Sequence, residues 1–136
     1  MHEYDADYLR KHVTVRFSGT LSYPQVVRYV EDIVLETSFG PGWRTLVDLA
    51  GIEDVQAGLA DIHALSNVTD TLRERFSDVR LAICAPRDDV FEVAKAYARL
   101  KGYAGAGISV GVFRDRQAAE EWLSAGAEST DAAPRL

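Results

Sequence analysis

Short β-branched runs recur along this chain, each separated from the next by a stretch of helical periodicity. That alternation restricts the fold more than any other feature. In "HVTVRFSG", Val13, Val15 and Phe17 alternate with Thr14 and Arg16, the pattern of a strand with one buried face. "RTLVDLA" and "VRLAICAP" are nearly continuous in apolar residues, as strands covered on both faces should be, and "ISVGVF" is a further strand. "HEYDA" supplies a short antiparallel partner to the first long strand, joined to it through "DYLRK". Between the strands lie four amphipathic segments. Ser22 and Pro24 open the first, with Val26, Val30, Ile33 and Val34 on one face. The second covers about residues 58–76, burying Ile62, Leu65, Thr69, Leu72 and Phe76. Asp88 or Asp89 caps the third, which carries Val90, Val93, Ala94, Tyr97 and Leu100. Asp115 caps the last, "RQAAEEWL". Gly19 reads as a strand break, and Asp48 as a strand end followed by a turn at Gly51.

Strands alternating with helices imply an α/β fold: a single-domain, mostly parallel (mixed) sheet of four to five strands covered by four helices. The domain is expected to span residues 1–123. The segment 124–136, "SAGAESTDAAPRL" after Leu123, has few large apolar residues and is expected to be disordered. A chain of 136 residues fits one domain with a core that needs no staples. The net charge of −6, with no basic run, disfavours binding to nucleic acid or to an anionic membrane surface. One cysteine excludes an internal disulfide, and no apolar stretch has the length of a signal core or a membrane span. These features point to a cytoplasmic protein without membrane insertion.

In open α/β sheets ligands gather beyond the carboxyl ends of the strands, so the chemistry-bearing residues near those ends are the candidates. They are Ser22, Tyr23, Asp48, Gly51, Asp54, Gln56, Cys84, Arg87, Asp88 and Arg114, taken as ligand- or partner-binding residues. A carboxylate such as Asp48 within an apolar strand must find donors or lie at the rim, and the simpler reading is that it accepts main-chain N–H groups. Cys84 with Arg87 lacks the spacing of a cysteine-phosphatase loop, which would need arginine where Val90 stands. A buried thiol acting as a small apolar group is the simpler reading. His63 is one helical step, about 100°, from the buried Ile62 and faces solvent, with no histidine or cysteine four residues away. No metal site, cofactor or catalytic set is expected. "GYAGAG" has glycine spacing in the wrong order for a dinucleotide fingerprint, since it follows a helix and precedes a strand.

Three pieces, "RFSGTLSYPQV", "RTLVDLAGIEDVQAGL" and "VFRDRQAAEEWL", together with the element order, resemble the SpoIIAA-like group related to STAS domains. The founding members of that group are anti-sigma-factor antagonists, and the resemblance also implies relatedness to Sec14-type lipid-binding folds. In the antagonists a strand ending in aspartate is followed by a short loop and a phosphoacceptor serine at the next helix start. Asp48 and Gly51 match the strand end and turn, but residues 55–59 read Val55, Gln56, Ala57, Gly58, Leu59, and no serine or threonine lies between Thr45 and Ser66. The resemblance therefore implies a non-enzymatic protein-interaction module without the serine switch, with another protein or a second copy of itself, as a homodimer, for partner. The alternative it implies is a small apolar or lipid-like ligand held above the sheet.

Overall fold

The computed structural model describes residues 2–35, 42–56, 58–70, 79–104 and 108–128. The element order is β1 (His2–Asp7), β2 (His12–Ser22), α1 (Tyr23–Leu35), β3 (Arg44–Gln56), α2 (Leu59–Asp70), β4 (Val79–Cys84), α3 (Asp88–Ala104), β5 (Ile108–Phe113) and α4 (Arg116–Glu128). The five strands form one sheet in sequence order, with β1 antiparallel to β2 and the rest parallel. This is the mixed α/β architecture expected from the alternation of strand and helix patterns.

Handedness decides the layers. The three crossovers from β2 to β5 all step in the same direction across the sheet, so right-handed connections place α1, α2 and α3 on one face. That face holds the larger core, built from Val13, Val15, Phe17, Val47, Ile83, Val90, Ala94 and Tyr97 among others. The α4 helix follows the last strand and is free to take the opposite face, where Ala119 and Leu123 bury against Leu46 and Ala82, with Phe113 and Trp122 alongside. Gly111 makes room for this packing, because a Cβ there would stand 2.8 Å from the Phe113 ring and 3.3 Å from the Trp122 ring. A single helix cannot span five strands. The α4-side face of β1 and β2 is therefore left to polar side chains, where Arg16 bonds Asp5 at 2.9 Å.

Helix starts follow local chemistry. Asp115 accepts the Ala118 N–H at 2.9 Å and caps α4 as expected. At α2, Gly58 supplies the first carbonyl, to the Ile62 N–H, and donates its own N–H to Asp61 Oδ2 at 3.0 Å. At α3 the capping carbonyl belongs to Arg87, which accepts from Phe91, so Asp88 and Asp89 lie in the first turn instead of capping it.

Three boundaries differ from the sequence expectation. Gly19 does not end β2: it takes φ +82°, and the strand continues to Ser22. Gly51 is not a turn, and Asp48 is not a strand end, because β3 runs on to Gln56. Helix α4 continues five residues past Leu123, carried by helix-forming alanines and a glutamate. Residues 71–78, including Leu72 and Phe76 of the expected second helix, and residues 129–136 lie outside the described residues.

The strand extension has a simple geometric consequence. β4 pairs with β3 only from Arg44 to Asp48, whereas β2 stays paired with β3 to Gln56. Beyond Asp48 the two strands therefore leave the sheet as a parallel two-stranded ribbon, which at the usual rise per residue extends about 20–25 Å. Phe17, Leu21, Leu49 and Ile52 bury one face of the ribbon, while Ser18, Thr20, Ala50, Gly51 and Asp54 are exposed.

Candidate functional site

The ribbon is irregular in register. Arg16 pairs with Asp48 but Ser18 with Gly51, and Gly19 pairs with Ile52 but Thr20 with Asp54. In each step β3 advances one residue more than β2, so β3 carries two bulges. A bulge turns main-chain groups out of the ladder, and they need other partners. At the first bulge Asp48 Oδ1 accepts the Ala50 N–H at 2.9 Å. At the second the Arg87 guanidinium donates to the Glu53 carbonyl. Two of the residues singled out for chemistry thus have structural work. Asp48 fulfils the simpler expectation, a carboxylate accepting a main-chain N–H.

The loops at the carboxyl ends of β4 and β5 meet this ribbon through alternating arginines and carboxylates. Arg87 forks onto Asp89 with bonds of 3.1 and 2.8 Å. Arg114 pairs with Asp88 at 2.6 Å, donates to the Pro86 carbonyl at 3.3 Å, and lies 4.0 Å over the Phe91 ring. Arg116 lies 3.5 Å from Asp48 and 2.9 Å from Glu120. Pairs this exposed contribute roughly 0–1 kcal/mol each, so they orient the loops more than they hold the fold together. The structure brings Asp48, Arg87, Asp88 and Arg114 to one end of the sheet and places Gly51 and Asp54 on the exposed ribbon face. Ser22 and Gln56 pair at the ribbon tip, with Tyr23 beginning α1 beside them.

Cys84 sits in the same end of the sheet, beside Asp48 and Phe113 in register, but is 2% exposed. Burial pushes its thiol pKa up, and the nearby Asp48 and Asp115 add to the rise. A nucleophilic cysteine needs the opposite shift, so the arrangement suits the small apolar role. His63 is exposed, as its helical position implied. Among the described residues no group of three His, Cys, Asp or Glu side chains is placed to hold a metal ion, and no helix is long and apolar enough to cross a membrane.

Arg16, Arg44, Arg80 and Arg116 were not singled out from sequence. The available signal was an arginine at an alternate position of an otherwise apolar strand, as in "VRLAIC", where a charge must be handled by some specific neighbour.

No protein-family model matches the chain, and no curated protein matches it. A crystal structure of an uncharacterized protein of the DUF3478 family from Shewanella loihica PV-4, described as having a SpoIIAA-like fold, does match. It is 17% identical, with a TM-score of 0.50, covering 82% of this chain and 83% of that one. The fold is SpoIIAA-like. Five strands in a mixed sheet with four helices agree with that likeness, and at this identity it speaks for the fold and not for what the chain does.

Proposed function

We propose that this chain is a non-enzymatic protein-interaction module, working without a phosphoacceptor serine, whose contact surface is the exposed face of the β2–β3 ribbon. One observation carries this reading: the ribbon leaves the sheet with one face packed and the other uncovered, its backbone held in shape by Asp48 and Arg87. The uncovered face combines small residues, Ala50 and Gly51, with the acidic Glu53 and Asp54. Small side chains admit close approach, and the carboxylates select a partner protein with a basic surface over a second copy of this acidic chain. The buried, upward-shifted Cys84 and the arginines already paired with carboxylates support the absence of a nucleophile–base pair.

The test is a screen of extended peptides, lysine- and arginine-rich against neutral, by fluorescence anisotropy. Salt-sensitive binding of the basic set should weaken at least tenfold in the Glu53→Lys, Asp54→Lys double variant while thermal unfolding stays unchanged. Equal binding by the variant, or no preference for basic peptides, overturns the reading. A native mass spectrum showing a few hundred daltons that denaturation releases would replace it with a small apolar or lipid-like ligand.

A further inference from the structure

The opposite end of the sheet, at the amino ends of the parallel strands, carries a feature independent of the ribbon reading. On the α4 side, the first row of the parallel strands runs His12, Arg44, Arg80, Ser109 across β2, β3, β4 and β5, each residue paired in register with the next. Two arginines therefore stand side by side on adjacent strands. Arg44 donates Nη1 to the Gly42 carbonyl at 3.3 Å. Arg80 stacks 4.0 Å from the centre of the Trp122 ring and donates Nη2 to the Trp122 carbonyl at 3.3 Å.

Arg80 differs from five arginines that form ion pairs among the described residues. Arg10, Arg16, Arg87, Arg114 and Arg116 each pair with a carboxylate. Arg80 has no carboxylate partner among the described residues, and its buried Nε–H donates no hydrogen bond there. Of its five N–H donors, one is used among the described residues. Burial, and then the charge of Arg44, lower its pKa from the ordinary arginine value, which means that the cation is held at some cost. The helix dipole does not compensate, because Trp122 lies six residues before the end of α4 and the dipole acts within the last turn.

We infer that Arg80, with Arg44 beside it and the exposed Ser109 on the next strand, forms a binding site for a phosphate group. The planar guanidinium, fixed by Trp122 through Nη2, keeps Nη1 without a hydrogen bond among the described residues, a charge-assisted donor for an oxygen of an anion. The Ser109 hydroxyl is a further donor at the rim. A bound dianion would also offset the repulsion between two adjacent cations. The guanidinium and the hydroxyl read only the oxygens, so the free ion and a monoester on a larger molecule share the chemistry they recognise.

The test uses the intact protein and its amide and indole NMR spectra, titrated with inorganic phosphate and, separately, with methyl phosphate. Ionic strength is held constant with sodium chloride. Saturable shifts of the Arg80 and Ser109 amides and the Trp122 indole are expected. Affinity should fall at least tenfold in Arg80→Gln and stay unchanged in Arg10→Gln, which removes the same charge elsewhere. Equal affinity for the two probes assigns the site to the phosphate group wherever it is carried, and clearly tighter inorganic phosphate assigns it to the free ion. Absent or non-saturable shifts, shifts centred elsewhere, or undiminished binding by folded Arg80→Gln overturn the site. Should Arg80→Gln fail to fold, the location and saturation of the wild-type shifts decide.

Discussion

The body of the sheet and the ribbon that leaves it are built from the same two strands, yet they are stabilised differently. From Val13 to Phe17 and from Thr45 to Leu49, alternate side chains enter cores on one or both faces, and the ladder between the strands is regular up to Arg16 and Asp48. Past that point β3 has lost β4 as a neighbour, only one face stays buried, and the ladder slips twice. Apolar burial shapes the body. In the ribbon, individual polar contacts from Asp48 and Arg87 take over part of that work. A surface shaped by single bonds can be varied without rebuilding the core, which is the property a contact surface needs.

The largest test of this contrast is in the body. Leu46 is fully buried beneath α4, so Leu46→Ala should cost about 3 kcal/mol of unfolding free energy, measured by urea denaturation. A loss below about 1 kcal/mol would mean that α4 contributes little to the core. In the ribbon, Gly19 has φ +82°, and a Cβ added there would meet nothing within 4 Å. Gly19→Ala therefore isolates backbone strain and should cost about 1–2 kcal/mol. An unchanged denaturation midpoint would show that the second slip in register does not depend on that backbone angle.

A smaller effect is expected at Asp48. Asp48→Ala removes the acceptor for the Ala50 N–H and should cost about 1 kcal/mol, while Asp48→Asn, which keeps an acceptor oxygen, should recover most of it. Equal losses in the two variants would instead identify the Arg116 ion pair as the important contact. Hydrogen exchange of the Ala50 amide provides a local readout, with faster exchange expected in Asp48→Ala alone.

The smallest effect concerns His12, at the edge of the body. Burial lowers its pKa below the usual 6.5, outweighing the nearby Asp7 and Glu120. The unfolded chain then binds a proton more readily than the folded one as pH falls below about 6.5, so stability present above that pH declines on acidification. His12→Gln should flatten that part of the stability–pH curve. A curve of unchanged slope would assign the acid dependence to other groups.

Much of this organisation was legible from residue order. The alternation of Val13, Val15 and Phe17, the apolar runs at 44–50 and 79–86, and the spacing of Val90, Ala94 and Tyr97 are local patterns, because strand and helix periods act over a few residues. They were sufficient for the mixed α/β sheet, and Asp115 was recognisable as a cap because its partner, the Ala118 N–H, is three residues away. The ends of β2 and β3 were not legible. Gly19 and Gly51 look like breaks in isolation, and pairing between two strands carries the chain through both.

Which distant groups meet was settled by the packed fold alone. Arg87 reaches the Glu53 carbonyl across 34 positions of sequence, Arg116 reaches Asp48 across 68, and Arg80 meets Trp122 across 42. Such encounters depend on strand register and on the face that each helix takes. Periodicity makes at least one side of each element apolar, so residue order was enough to set helices against a sheet, but not to say which face each helix covers. The polar contacts that define the ribbon and the arginine row follow from how those layers align, a choice made by the packing of the whole chain.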